Sequence, residues 1–200
     1  LIFATGNKHK LRELRELLPE VELEPLPEGV TLPPEDGHSF AEIALEKARE
    51  THRATGEAAV ADDSGIGAMG LDGAPGIHSA RYGGEGASDE ENLDKLLREV
   101  AAAGEDRRAF YTCALALVEE DGTERVFEAR WEGALIEEPR GEGGFGYDPA
   151  FVPDDTGPDD QRTASELSDA EKNEISHRGR AARMLAAHLA AREATAKSGR

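Results

Sequence analysis

The sequence predicts a mixed α/β fold, a sheet with helices packed on it, and three features carry that prediction. Apolar residues recur at helical spacing in several separate segments. The spacing switches to period two over residues 109–118, which are followed by an Asp121-Gly122 turn signal. Short apolar strands alternate with helices before that point, and helices close the chain, an order that suits a mixed sheet flanked by helices.

Taken in order, Leu1-Ile2-Phe3-Ala4 reads as a first strand and is too short for the apolar region of a secretion signal. Residues 8–18 follow as a helix with Leu11, Leu14, Leu17 and Leu18 on one face, Asn7 as its cap and Pro19 as its stop. Residues 20–37, rich in Glu and Pro, are an extended strand and loop. Residues 39–55 are a second helix, with Phe40, Ile43, Ala44, Lys47 and Ala48 on its inner side. A short buried strand, residues 58–61, ends at Asp62-Asp63-Ser64-Gly65, and glycines and prolines make residues 65–86 a long irregular segment. Ser88-x-x-Glu91 is a capping box that opens a helix whose Leu93, Leu96, Leu97 and Val100 face the core. The period-two segment puts Tyr111, Cys113, Leu115 and Leu117 on one side, and the hairpin returns through residues 124–131. Leu135-Ile136 and Ala150-Phe151-Val152 are two further short strands around a glycine-rich loop. From about Ser168 the chain is helical, with a break near Ser176. Residues 1–193 are expected to form a single domain, and residues 194–200 a flexible tail.

Composition narrows the function classes. With 42 acidic and 23 basic residues the formal charge is -19, which repels nucleic acid polymers and anionic membranes. A small phosphorylated ligand remains compatible, because a few cations can converge locally. No apolar run approaches a membrane span. The lone Cys113 has no partner for an intrachain disulfide, in keeping with a reducing, cytoplasmic setting. The bias of seventeen Arg to six Lys and the spread of acidic residues fit either adaptation to high salt or a GC-rich genome.

Four clusters hold chemistry-bearing residues. In Thr5-Gly6-Asn7-Lys8-His9-Lys10 a strand ends in a small-residue turn and a helix begins, an arrangement that can aim backbone N–H groups and a lysine at a phosphate; a well-capped helix with solvated lysines would use the same residues. Asp62 and Asp63 follow an apolar strand, where two carboxylates need a partner such as a hard cation, and adjacent positions on extended chain point them to opposite sides. An Asx-type turn into Gly65 is the simpler alternative. Glu42 can complete a capping box with Ser39 or reach a metal from the first helical turn. Gly143-Gly144-Phe145-Gly146-Tyr147-Asp148 places two aromatic rings and an acid among glycines, which lets a flat base be stacked and its edge contacted. Finally Lys172 precedes Ser176-His177-Arg178-Gly179, where two basic residues sit in the first turn of a helix against its dipole.

In this order, Thr5-Gly6-Asn7-x-x-Lys10, Ala61-Asp62-Asp63-Ser64-Gly65, Pro75-Gly76-Ile77-His78-Ser79-Ala80-Arg81-Tyr82, Gly143-Gly144-Phe145-Gly146-Tyr147-Asp148-Pro149 and Ser176-His177-Arg178-Gly179 resemble the inosine-triphosphatase family, to which the RdgB and Ham1 proteins belong. The resemblance runs from Leu1 to about Leu189. It implies an elongated mixed sheet, two lobes around a central cleft, and a homodimer. It further implies Mg2+-dependent hydrolysis of non-standard purine triphosphates (ITP, dITP, XTP) to monophosphate and pyrophosphate. By the same resemblance the Thr5–Lys10 turn, with Lys8 and His9 in it, holds phosphates, Asp63 is metal ligand or general base, and Glu42 is a metal ligand. Asp62 assists, Ser64 contacts substrate, and Phe145 stacks on the base beside Gly146 and Tyr147. Asp148 meets the base edge, while Lys172, His177 and Arg178 surround the 6-keto group. A Maf-type pyrophosphatase with another base preference and a nucleotide sensor without turnover are the alternatives; the Ser-His-Arg segment and the Phe-Gly-Tyr-Asp loop argue against the first. A serine hydrolase built on Ser64 lacks the nucleophile-elbow glycine pattern.

Overall fold

The computed structural model of the chain describes residues 1–198. Six strands follow the order β2-β1-β3-β4-β5-β6: β1 (Ile2–Phe3), β2 (Glu24–Pro25), β3 (Ala59–Ala68), β4 (Arg108–Val118), β5 (Glu124–Leu135) and β6 (Phe151–Pro153). The sheet is mixed. β1 pairs in parallel with β2 and β3, Ile2 facing Glu24 and Ala59, whereas β5 pairs antiparallel with β6, Leu135 facing Phe151. The helices are α1 (Lys8–Leu17), α2 (Phe40–Thr55), α3 (Asp89–Ala103), α4 (Asp169–Ile175) and α5 (His177–Ser198).

The chain divides into two compact units, each assembled from separated segments. The first comprises Leu1–Asp63, Cys113–Ala129 and Arg178–Arg200. Its largest apolar cluster joins Phe3, Leu14, Leu18, Val60, Leu115, Leu117, Ala182 and Leu185. A second layer is mostly alanine, with Ala44 and Ala48 of α2 against Ala4, Ala61, Ala114 and Ala116 and with Val118 beside them. That layer leaves room for Lys47, the one charged residue of the inner face of α2, which is buried. The second unit comprises Ser64–Thr112 and Arg130–His177. Leu93, Leu96 and Val100 of α3 meet Tyr111, Trp131 and Phe151 in its core.

Local chemistry sets the element ends. Asn7 caps α1 by accepting from the His9 and Lys10 N–H groups, and Ser88 and Ser168 form complete capping boxes with Glu91 and Glu171. The expected box at Ser39 closes on one side only. Ser39 accepts from the Glu42 N–H, but the Glu42 carboxylate takes the His38 N–H, one residue before the cap.

Several boundaries differ from the expectations. β3 does not stop at Ala61 but runs on to Ala68, so Asp62, Asp63 and Ser64 lie inside a ten-residue strand. Gly65 makes this possible, because a Cβ there would fall 2.5 Å from both the Gly76 carbonyl oxygen and Ser79 Oγ. The Asp62-Asp63 pair is therefore not an Asx turn. β5 is continuous through Leu135, absorbing the separate strand expected there. Both faces of β4 are buried over most of its length, so its period-two pattern reflects alternating size more than exposure. Helix α5 reaches Ser198, through residues expected as a tail; the Ala-rich composition favours helix, and Gly199 and Arg200 lie outside the described residues.

Candidate functional site

Strand geometry separates the two aspartates. Successive side chains of β3 point to opposite faces, and the partners of Asp62 and Asp63 differ accordingly. Asp62 is fully buried within the first unit, in ion pairs with Lys10 and with Arg178, whose Nε lies 3.2 Å from Oδ2. The Cys113 thiol, 3.3 Å away, donates to the same oxygen. Burial alone would push the Asp62 carboxyl up; the Lys10 ammonium and the Arg178 guanidinium overturn this and hold it well below the usual carboxylate range. The same burial, with Asp62 beside it, pushes the Cys113 thiol far up, so Cys113 is an inert core residue. Arg178 is itself only 2 % exposed and also pairs with Glu13.

Asp63 is 6 % exposed and pairs with Lys47, whose Nζ lies 3.0 Å away. Lys47 is shared with Glu35 at 2.5 Å. Burial pushes the Asp63 carboxyl up to about 6, against the pull of Lys47 and Lys10 and with the repulsion of Asp62 added. Two neighbouring aspartates are thus tuned in opposite directions: one is a permanent anion inside an ion-pair network, the other a carboxylate whose charge burial opposes. Groups poised in this way are frequent at functional sites.

Nearby in the chain, the Thr5–Lys10 turn has its own economy of donors. Thr5 Oγ1 accepts from the Asn7 N–H, and Asn7 Oδ1 takes the His9 and Lys10 N–H groups. The Gly6 and Lys8 N–H groups have no protein partner among the described residues. The Lys8 and His9 side chains are exposed, while Lys10 turns inward to Asp62. Glu42 is exposed, its Oε2 accepting from the His38 N–H at 2.8 Å.

The second unit holds the other predicted residues. Asp148 is buried, and both its oxygens are engaged: Oδ1 by the Tyr111 hydroxyl at 3.2 Å, Oδ2 by Lys172 Nζ at 2.8 Å and by the Phe145 N–H at 2.9 Å. Lys172 Nζ also lies 5.0 Å from the centroid of the half-buried Phe145 ring, a cation–π distance. Gly144 has φ +68°, and a Cβ there would collide with Asp148 Oδ2, so the loop wraps the carboxylate at a distance only glycine permits. The loop's other aromatic behaves differently from expectation. Tyr147 is buried, its hydroxyl donating to the Ser79 carbonyl at 2.6 Å, so it anchors the loop through Ser79 and offers no open face. Gly146 donates its N–H to Asp89 at 2.8 Å. His177 is buried and stacks on Tyr111, ring centroids 4.6 Å apart and planes 9° apart.

The predicted residues therefore fall into two groups. Thr5, Gly6, Asn7, Lys8, His9, Lys10, Glu42, Asp62, Asp63 and Arg178 belong to the first unit, and Ser64, Phe145, Gly146, Tyr147, Asp148, Lys172 and His177 to the second. The chain passes between units at four peptide bonds, and two of them, Asp63–Ser64 and His177–Arg178, fall inside sequence motifs. Lys47, Glu13, Glu35 and Tyr111 are the side chains that direct reading of the residues did not single out as site candidates. Lys47 carried a signal, a lysine on an apolar helix face; Glu13 and Glu35 are acids in acidic surroundings and carried none. Among the described residues no three His, Cys, Asp or Glu side chains cluster in metal-holding geometry. No helix among them is long and apolar enough to cross a membrane.

Comparison with known proteins agrees along the whole length. The sequence pattern of the Ham1 family matches residues 1–188. A dITP/XTP pyrophosphatase of Vibrio parahaemolyticus is 44% identical over 200 residues, spanning 97% of this chain and 98% of the relative. Another, from Pectobacterium atrosepticum, is 46% identical over 191 residues, spanning 92% and 95%. The solved structure of a HAM1 protein from Coxiella burnetii superposes with a TM-score of 0.85 at 42% identity, covering 94% of this chain and 97% of that one. The Staphylococcus aureus Ham1 protein gives the same TM-score at 34% identity, covering 96% and 98%. With motifs, fold and full-length relatives in agreement, this chain belongs to the Ham1 family.

Proposed function

We propose that the chain hydrolyses non-canonical purine nucleoside triphosphates, ITP, dITP and XTP, to the monophosphate and pyrophosphate, and so removes them from the nucleotide pool. It is a hydrolase acting on acid anhydrides, as its dITP/XTP pyrophosphatase relatives are named. The observation that carries the chemistry is the opposite tuning of Asp62 and Asp63 on one strand. Asp63 is ionised at neutral pH yet costly to keep so, and an arriving cation or a proton from an attacking water would relieve it. We assign Asp63 as the residue that accepts that proton through its carboxylate, and Lys47 as the group that orients it. Asp62, clamped by Lys10 and Arg178, is assigned to hold the turn and the last helix in place.

We assign Mg2+ to this chain on the strength of the family resemblance. A small hard cation is commonly held by one or two carboxylates with substrate phosphates and water completing its shell, so a cluster of three protein ligands is not required. Asp63 and Glu42 would hold it, Glu42 releasing the His38 N–H to do so. When bound, the ion would supply charge neutralisation on the triphosphate. The unpartnered Gly6 and Lys8 N–H groups at the start of α1, with the exposed Lys8 and His9, are assigned to phosphate oxygens. Ser64 is assigned to the substrate as well. On the base side, Phe145 offers a half-buried face and Lys172 an ammonium next to it; a donor-only side chain suits a 6-keto oxygen and is left unpaired by the amino group of adenine. His177 is assigned as a support of this arrangement through its stack on Tyr111, and Arg178 as the partner that fixes Asp62 within its own unit. A homodimer in the cytoplasm is the working assembly, on the strength of the family resemblance.

The test is pyrophosphate release from ITP, XTP, dITP, dUTP, GTP and ATP, with and without Mg2+. Preference for the first three, dependent on the metal, is the expected result. Tight ITP binding without pyrophosphate release would replace this reading with a sensor.

A further inference from the structure

Tyr111 does something in the second unit that packing alone would not ask of it. Its ring sits in an aromatic core, 4.9 Å and edge-on to Phe151, 6.1 Å from Trp131, and stacked on His177. A phenylalanine would fill that space without burying a hydroxyl, which is costly to bury unless bonded. The hydroxyl goes to Asp148 Oδ1 at 3.2 Å. This divides the labour of the carboxylate: Oδ1 is fixed by Tyr111, and Oδ2 is left to receive Lys172 and the Phe145 N–H. Were Oδ1 released, the carboxylate could turn about its Cβ–Cγ bond, and the ammonium and the Phe145 loop bound to Oδ2 would lose a fixed reference. The same ring sets the plane of His177.

We infer that Tyr111 is a positioning residue for base selection: without touching substrate, it holds Asp148 so that the Lys172 ammonium and the Phe145 ring are presented to the purine in one geometry. This rests on the proposed function and adds a residue and a means to it. The rigid part is the strand, since Tyr111 lies in β4 and its ring is held on several sides. A site supported by such an element keeps its geometry better than one left to a loop alone.

The experiment uses the full chain and its Tyr111→Phe, Asp148→Asn and doubly substituted variants, with steady-state kinetics on ITP, XTP, GTP and ATP. Tyr111→Phe keeps the ring and removes only the hydroxyl. Its KM for ITP should rise about 3- to 10-fold while kcat stays within about twofold, and the kcat/KM ratio of ITP to ATP should fall by a similar factor. In the Asp148→Asn background the hydroxyl should no longer matter, so the double variant should match Asp148→Asn alone. An unchanged ITP to ATP ratio in Tyr111→Phe, or an effect that persists undiminished on top of Asp148→Asn, overturns the inference while leaving the proposed function standing. A wild-type protein that fails to prefer ITP over ATP overturns the base assignment itself, and this inference with it.

Discussion

Replacing Asp63 with Asn should abolish turnover and, at neutral pH, stabilise the protein. Burial raises the Asp63 pKa from 3.8 to about 6, which means the folded state resists ionising it. The sign follows from linkage: between these values the folded chain binds more protons than the unfolded one, so stability falls as pH rises through the interval, and above it the full cost is present. Two pKa units correspond to about 3 kcal/mol. The attraction of Lys47 is already contained in that shift, so Asn, which resembles the protonated carboxyl in size and neutrality, should recover about 2–3 kcal/mol at pH 7.5. For a chain of this length that is a rise in melting temperature of about 5–10 °C. The assay is thermal and denaturant unfolding of metal-free wild type and Asp63→Asn from pH 4 to 8, with pyrophosphate release measured alongside. The two stability curves should converge near pH 4, where Asp63 is protonated in the folded wild type, separate between pH 4 and 6, and keep a constant gap above that. Equal stability at pH 7.5, or a gap that does not depend on pH, would refute the claim that burial opposes the charge. Near-normal turnover would remove Asp63 from the chemistry.

Asp62 should behave in the opposite sense. Asp62→Asn leaves Lys10 and Arg178 without their shared anion and should cost about 3–5 kcal/mol in denaturant unfolding. Because its folded pKa is depressed, its contribution is present above the ordinary carboxylate range and is lost as pH falls through the folded value, the reverse of Asp63. Lys47→Met removes a cation that pulls the Asp63 pKa down, so the acid limb of the pH–rate profile should move up by about one unit; an unmoved limb would show that the limb belongs to another group. With a formal charge of -19 the folded chain repels itself, and salt screens that repulsion. Its melting temperature should therefore climb between 0.05 and 1 M NaCl, by about 5 °C as an order of magnitude, and a flat response would remove self-repulsion as a significant term.

Much of this architecture is written locally. Asn7 and Ser88 mark helix starts because a capping side chain needs nothing beyond the next three residues, and both are found capping where the sequence places them. The Asp121-Gly122 hairpin is equally local, with Gly122 at φ +80°. The motifs containing Asp63, Phe145, Lys172 and His177 could be picked out for the same reason: each juxtaposes residue types that a plain turn or helix start does not need. Even the divergence of Asp62 and Asp63 follows from strand periodicity, although the strand was expected to end before them.

What the sequence could not decide is which partners those side chains meet. Arg178 bonds a carboxylate 116 residues away in the chain, and Tyr111 one 37 residues away, with no spacing rule to announce either. Gly65 stands in the middle of β3 because a turn from residues 76–79 lies against it, so a glycine that locally reads as a strand end instead permits the strand to continue. Tyr147 reads as a second aromatic ring for the substrate loop and is found as an anchor, because Ser79 is there to accept its hydroxyl. The sequence by itself determined the element types, their caps and the chemical groups available. The tertiary structure alone decided which aspartate is neutralised and which is left poised, because burial and the convergence of distant cations fix a carboxylate's charge and neither quantity exists until the chain has folded.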